Sequence, residues 1–467
     1  MRPNRWWMLG AVSMATFMLL LDVTVVNVAL PDIQRTLHAT FFDLAWVIDA
    51  YALTLAAFLL TAGSLADRLG RRRIFVAGLA LFTAASLLCG LAGAPLMLNV
   101  ARAFQGVGGA VMYAVAPALI ANAFHGRERG IAFGVSGGVT GLAVAVGPLI
   151  GGALTEVSWR WVFLLNVPIG LAVALVMLAR AEESRAAGGR IDWRGVDWPG
   201  AALLSSSLVM LVFALMRGAE AGWGSVLIVT LLAGAAVLLV AFVLVERARP
   251  EPMLDLGLFR NRSFAGLSLA TVAVNAAVYA ALLFMVLYLQ NTLHHTSFET
   301  GLRFLPFTLV LFVAAAVTGT FAARIPAALL IGGGSLAVGA GFLVTDVETG
   351  SPWTALLPGM LLAGLGMGLF NPARAATAVD LVPLSRAGMS SGVSETFQQG
   401  GVALGIAALA KAGTAGPVAG VNAVMNVAGW IAVVGAVFGL ALIRRRDFHQ
   451  AATETDQQPD AYLERRP

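Results

Sequence analysis

Apolar residues run along this chain in blocks separated by short polar connections. The blocks have the length an α-helix needs to cross a bilayer, about 20 residues. They lie near 8–30, 44–65, 74–94, 96–123, 131–154 and 161–179, and are followed by a polar stretch, Ala181 to Asp197, that carries Arg185, Arg190 and Arg194. Two further runs, about 198–216 and 225–245, precede a second basic stretch with Arg247, Arg249, Arg260 and Arg262. Six more runs end near Ile443. The pattern predicts an all-α polytopic membrane protein with 14 transmembrane helices. The expected parts are a six-helix bundle over 1–180, loops and two additional helices over 181–262, a second six-helix bundle over 263–445 and a disordered tail over 446–467.

Composition narrows the function classes. Of 467 residues, 59% are hydrophobic and 12% charged, too few charges to coat cores of domain size with a wetted surface, so a soluble enzyme and a disordered chain are both excluded. A single cysteine, Cys89, leaves no disulfide framework and no cysteine metal cluster. The net charge of +5 does not indicate nucleic acid, because the basic residues sit in small groups between apolar runs rather than on one domain. They act instead as topology signals. With the amino terminus cytoplasmic, 23 of the 30 basic residues fall on the inside, while Arg35, Arg160, Arg217, Arg303 and Lys411 fall outside and Arg102 and Arg374 lie within helices. Both termini are therefore expected inside. The first run is long enough to span and ends in no small-residue cleavage site, so it reads as a helix and not as a signal peptide. Trp46, Trp159, Trp161, Trp198, Trp223 and Trp353 lie at predicted ends, as interface anchors do.

The chain also repeats itself. Gly63-Ser-Leu-Ala-Asp-Arg68 matches Gly319-Thr-Phe-Ala-Ala-Arg324 at a shift of 256, and Gly106-Val-Gly108-Gly matches Gly364-Leu-Gly366-Met at 258. Gly130-Ile-Ala-Phe-Gly134-Val-Ser136 matches Gly388-Met-Ser-Ser-Gly392-Val-Ser394, again at 258. Glycine-rich packing faces would explain each match alone, but not the shared register. The shift equals eight predicted helices, so two helices are inserted between six-helix halves. Pseudo-symmetric halves that rock about a midplane cavity are a transporter architecture.

Gly63-Ser-Leu-Ala-Asp67-Arg68-Leu-Gly70-Arg71-Arg72-Arg73 resembles the signature loop of the major facilitator superfamily. Asp67 is placed to cap or pair with neighbouring helix ends and Gly70 to allow the turn, so the loop is expected to latch the inside gate, beyond the positive-inside bias of its arginines. Leu21-Asp22-Val-Thr-Val-Val-Asn27 and Trp46-Val-Ile-Asp49-Ala-Tyr51 resemble the 14-span drug:proton antiporters of that superfamily. So do Arg102-Ala-Phe-Gln-Gly106, Ser158-Trp-Arg-Trp161 and Asn166-Val-Pro168-Ile-Gly170. Gly134 with Gly147-Pro148-Leu-Ile-Gly151-Gly152 resembles the antiporter motif of the exporters, with Ala143 where glycine is usual. Closely approaching glycines and a missing hydrogen bond at Pro148 would make a bendable, leak-tight contact.

An ionisable group within hydrocarbon costs a few kcal/mol, so each is a functional candidate. Asp22 and Asp49 are expected at similar depth in the outer half, able to face one cavity, with Arg102 tied to the same machinery. A buried carboxylic acid can bind and release a proton near neutrality and exchange it for a cationic substrate. The coupling set expected is Asp22, Arg102 and Asp49. Glu395, with Gln398, Asn27 and Asp49, is expected to contact substrate; its symmetry mate is Gly137, so packing demands no acid there. Arg374, near a helix end, reads as a snorkelling side chain without a role. His38, His125, His294, His295 and His449 fall in loops or the tail, which supports neither a proton relay nor a metal site.

The resemblance implies a proton-coupled exporter of lipophilic compounds, cationic ones among them, in a bacterial cytoplasmic membrane. The expected partners are a small lipophilic molecule, protons and the bilayer, with no cofactor, no catalytic residue, no nucleic acid and a monomeric protein. Proton-linked uptake and export of one dedicated compound are alternatives the motifs leave open. A membrane enzyme would cluster His, Asp or Ser groups at one face, and none clusters here.

Overall fold

The computed structural model of the chain describes residues 4–183, 197–249, 252–321, 324–409, 416–444 and 446–448. Residues 449–467 of the predicted tail and most of the first arginine-rich loop lie outside these residues. The described residues contain helices and no strand. In order, they are α1 (Asn4–Leu37), α2 (Phe41–Leu69), α3 (Arg71–Gly90), α4 (Pro95–Ala123), α5 (Gly126–Val157) and α6 (Arg160–Arg180, broken at Leu165). Then come α7 (Trp198–Ala221) and α8 (Val226–Ala248), followed by α9 (Arg262–Leu287, continued by a π-helical turn Tyr288–Thr292), α10 (Ser297–Phe321), α11 (Ala327–Leu343), α12 (Leu357–Asp380), α13 (Ala387–Leu409) and α14 (Pro417–Leu442). Eleven of these segments are long and apolar enough to cross a membrane. Beyond those eleven, α11 is apolar with 17 residues, and α5 and α13 are the glycine-bearing helices where the halves cross.

Local chemistry sets the helix ends. Thr40 and Asp43 form a reciprocal capping box at the start of α2, and Asp197, Ser225 and Asn261 cap α7, α8 and α9. Gly70 separates α2 from α3 at φ +108°, a conformation that side-chain-bearing residues rarely adopt. Within the helices, hydroxyls such as Thr16 and Thr271 donate back to the carbonyl four residues earlier. That bond removes the cost of an unpaired polar group in an apolar solvent.

The repeat read from the sequence corresponds to packing. In the first half α4 packs on α2 and α3, and α6 on α1 and α3; in the second, α12 packs on α10 and α11, and α14 on α9 and α11. The matched glycines stand at these contacts. A Cβ on Gly106 would meet Tyr51 and Thr54 of α2, and one on Gly364 would meet Phe307 and Leu311 of α10. Between the halves, α2 crosses α13 and α5 crosses α10. Gly63 lies against Gly388 and Gly392, and Gly319 against Gly130 and Gly134. The α2–α13 and α5–α10 contacts are thus made by repeat mates, α2 with α10 and α5 with α13, as a twofold-related pair of interfaces requires.

The inserted helices break this symmetry. α7 packs on α2, α8 and part of α13, whereas α8 packs chiefly on α7. Ser205 Oγ of α7 donates to Ala57 O (3.0 Å) and lies 3.2 Å from Thr61 Oγ1, and Phe213 stacks on Trp46 at 5.7 Å. Arg217, expected in an outside loop, lies within α7. Trp159 is also corrected: it is 2% exposed, under the Arg160 guanidinium, and not a membrane-interface anchor.

Gly63 and Gly152 offer a paired test. A Cβ on Gly63 overlaps Gly388 O, whereas one on Gly152 meets nothing within 4 Å. Gly63→Ala is expected to lower the melting temperature in detergent, consistent with an overpacking cost of ~1–3 kcal/mol. Gly152→Ala should leave it unchanged or raise it slightly through helix propensity. Equal melting temperatures for the two variants would contradict the crossing as described.

Candidate functional site

Two buried arginine–carboxylate pairs and one cavity define the site. Asp22, 1% exposed on α1, accepts from Arg102 Nη1 of α4 (2.6 Å), Gln105 Nε2 (2.9 Å) and Asn166 Nδ2 of α6 (3.0 Å). Arg102 also donates to Val47 O and Gln105 Oε1, and its guanidinium stacks 4.2 Å from the Tyr51 ring centre. Ser86 closes the network by accepting from Gln105. Every oxygen of the Asp22 carboxylate therefore has a donor, all from the first half. Charge-assisted bonds of this kind contribute ~1.5–3 kcal/mol each, and deleting one partner of a buried pair costs ~3–5 kcal/mol.

The second pair faces the interface between the halves. Glu395 Oε1 of α13 accepts from Arg374 Nη2 of α12 (3.0 Å), and Arg374 Nη1 donates to Ser394 Oγ (2.7 Å). Glu395 and Arg374 line a cavity together with Asn371, Gln398 and Tyr279 of the second half and Thr16, Tyr113, Ile120 and Phe133 of the first. Gln398 Nε2 donates to Tyr113 across the gap at 3.0 Å. Asn371 Oδ1, Glu395 Oε2 and Gln398 Oε1 are buried without a hydrogen bond, as is Arg374 Nε. The cavity measures about 60 Å³, room for a few waters in this conformation.

The site residues expected from the sequence separate into three places. Asp22 and Arg102 form the sealed pair, and Glu395 and Gln398 reach the cavity. Asp49 joins neither: its Oδ2 accepts from Arg217 Nη2 of α7 at 3.1 Å, so Asp22 and Asp49 do not share a cavity. The side chains of Asn27 and Pro148 lie outside the described residues. Arg374, expected to snorkel, is 4% exposed, because α13 covers it and Glu395 binds it. Gln105 and Asn166 were missed as Asp22 ligands. Gln105 stands three residues after Arg102, on the same helix face, a spacing that could have revealed it. Of the exporter-motif glycines, Gly147 and Gly151 lie against Thr24 and Val25 of α1 and Gly134 against α10, while a Cβ on Gly152 would meet nothing within 4 Å.

The arginine-rich end is closed. Asp67, paired with Arg71 Nη2 at 2.7 Å, accepts the backbone N–H groups of Gly388 (2.9 Å) and Met389 (2.8 Å), so it caps α13 of the opposite half. Arg71 also donates to Leu384 O, and Arg129 pairs with Asp380 at 2.6 Å. Arg72 and Arg73 donate their backbone N–H groups to Glu183. Arg68 Nη2 reaches Pro252 O at 3.5 Å. Removing the Asp67 carboxylate exposes the first turn of α13. With Asp67→Ala, amide hydrogen exchange at Gly388 and Met389 is expected to accelerate roughly 10- to 100-fold, the equivalent of ~1–3 kcal/mol. Asp67→Asn should accelerate it less. Unchanged exchange in Asp67→Ala would show that the cap does not hold this end.

Comparisons with known proteins agree with this architecture. The family profile described as the Major Facilitator Superfamily matches residues 12–406. A puromycin resistance protein of Streptomyces alboniger is 40% identical over 87% of this chain and 81% of its own length. The multidrug resistance protein Stp of Mycobacterium tuberculosis is 36% identical over 85% of this chain and 74% of its own, and a tetracenomycin C resistance and export protein of Streptomyces glaucescens 34% identical over 88% and 76%. Among solved structures, the human organic anion transporter MFSD10 superposes with a TM-score of 0.69 at 16% identity, covering 94% of this chain and 100% of that one, a likeness of fold. Matched across nearly its whole membrane domain, and built as two crossed halves around a shared cavity, the chain belongs to the major facilitator superfamily of transporters and is not an enzyme.

Proposed function

We propose that this protein is a 14-span proton-coupled antiporter that exports lipophilic, antibiotic-like small molecules by alternating access. It sits in a bacterial cytoplasmic membrane with both termini and the arginine-rich end inside. The observation that carries this reading is the division between the two buried pairs: Asp22–Arg102 is sealed within one half, while Glu395–Arg374 faces the cavity between the halves with acceptors left over. The first pair suits a proton, which needs no room. The second suits a cargo, which needs open hydrogen-bonding positions beside apolar walls. The relatives' names, covering puromycin, tetracenomycin C and multidrug resistance, support the export of antibiotic-like compounds.

The coupling follows from electrostatics. Protonating Asp22 removes the counter-charge of a guanidinium that is 2% exposed, at a cost of ~3–5 kcal/mol in the conformation that buries it. A bias of ~5.5 kcal/mol takes a two-state equilibrium from 1:99 to 99:1. One proton at Asp22 is therefore of the right size to drive the halves from one arrangement to the other. Cargo competes at Glu395 with Arg374, and its apolar part lies against Tyr113, Ile120 and Phe133. The cap of α13 by Asp67 keeps the inside closed until the halves rock.

In proteoliposomes, Asp22→Asn is expected to abolish export driven by a pH gradient while leaving the protein folded and inserted. Glu395→Gln should change which cargoes are moved more than the total turnover. Unaltered pH-driven export by Asp22→Asn would remove Asp22 from coupling. Equal loss of every cargo in both variants would refute the division between proton and cargo sites.

A further inference from the structure

A third acidic site lies outside this machinery, at the arginine-rich end of the inserted helices. Asp197 caps α7 through Oδ1, which accepts Gly200 N (2.9 Å) and lies 3.2 Å from Arg249 Nε. Glu246, in the last turn of α8, accepts Leu254 N through Oε2 (3.4 Å). The side chains are 1% and 3% exposed. Their remaining oxygens, Asp197 Oδ2 and Glu246 Oε1, are buried and have no donor. Both lie over Gly200: a Cβ there would stand 2.5 Å from Oδ2 and 2.9 Å from Oε1. The charged groups of the surrounding described elements include Arg249 beyond α8, which takes the other face of Asp197, Arg68 of α2, which donates to Pro252 O, and Asp255, which pairs with Arg386.

Two ionised carboxylates facing each other beside a single guanidinium would be strongly unfavourable. One proton removes the repulsion and, by the same bond, satisfies both orphan oxygens. We propose that Asp197 and Glu246 form a proton-binding site, in which a single proton carried on Glu246 Oε1 and donated to Asp197 Oδ2 fixes a strap across the arginine-rich closure. The strap is Pro252–Arg260. Leu254 hangs on Glu246, Pro252 O accepts from Arg68 of the signature loop, and Asp255 pairs with Arg386 at the foot of α13. Phe259 packs on Phe264 of α9 and Phe397 of α13. The strap therefore touches both halves. Loss of the proton drives Glu246 away from Asp197, frees Leu254 and loosens the tie, so a more alkaline medium at this end favours opening.

Spin labels at Arg127→Cys on α5 and Arg324→Cys after α10, both exposed and on the opposite side from the strap, report the separation of the halves; the native Cys89 is buried. In nanodiscs, the distance distribution of the otherwise native protein is expected to move to longer values as pH is raised from below to above neutrality. Glu246→Gln keeps both contacts, since its amide N–H₂ donates to Asp197 and its carbonyl accepts from Leu254. In an Asp22→Asn background, which removes the other proton site proposed to move the halves, Glu246→Gln should hold the short distance at both pH values, whereas Asp22→Asn alone should keep a pH response. Gly200→Ala, which wedges the two oxygens apart without changing charge, should give the long distance already at the acid end. Infrared difference spectra between wild type and Glu246→Gln should contain a protonated-carboxyl stretch at acid pH that vanishes on alkalinisation. The proposal is overturned if Glu246→Gln keeps the full pH response in the Asp22→Asn background, if no such band appears, or if the distance follows sodium, potassium or magnesium at constant pH instead of pH itself.

Discussion

A full charge cannot remain unpaired in a low-dielectric interior, and that constraint organises this molecule. Born solvation makes an isolated buried carboxylate or guanidinium prohibitively expensive, so each must find a counter-charge and enough hydrogen bonds to replace water. Asp22 and Arg102 meet the requirement within one half, drawing on α1, α4 and α6. Glu395 and Arg374 find their counter-charge within the other, on neighbouring helices α12 and α13, but leave Glu395 Oε2 and Arg374 Nε without a hydrogen bond. Each pair is stable only while both charges are present. Neutralising one member therefore changes the preferred arrangement of everything packed around it, which makes a proton or a cationic group an effective lever on a structure of this size.

The glycine crossings decide where that lever acts. At α2–α13 and α5–α10 the backbones of opposite halves come close enough that a side chain would collide, so these contacts are either made or broken with little in between. The closure is polar at its rim, where Asp67 holds α13 and Arg129 holds Asp380. It is apolar and glycine-lined beneath. The inserted helices add an asymmetry across the pseudo-twofold axis: among the described residues α7 packs on both α2 and α13 at one crossing, and neither inserted helix packs comparably on α5 or α10 at the other.

Much of this was legible in the sequence, for identifiable reasons. Close backbone approach demands glycine, so the crossings left a residue-level trace that repeated with the gene duplication; the shared shift of 256–258 revealed the repeat, though not which helices cross. The arginines of the signature loop, Asp67 and the cavity-facing Glu395 were readable because charge is rare in apolar helices. Pairing was not readable. Asp49 finds Arg217 168 residues away, on a helix that ordinary six-plus-six reasoning does not place beside α2. Depth along a helix axis misjudged Arg374, since a position near a helix end gives a route to water only if no neighbouring helix stands in the way. The amides Gln105 and Asn166 carry no charge to attract notice, although both lay inside stretches that the family resemblance singled out.

The central claim is that proton and cargo occupy separate carboxylates whose occupancies are linked through the movement of the halves. Linkage of this kind is reciprocal, so cargo binding must displace protons as surely as protons displace cargo. The direct measurement is proton release from detergent-solubilised protein into a weakly buffered dye solution on addition of a transported cargo. Release is expected in the wild type and in Glu246→Gln, and none once Asp22→Asn is added to Glu246→Gln, where cargo binding should no longer vary with pH. Wild-type cargo binding with no proton released at any pH would contradict it.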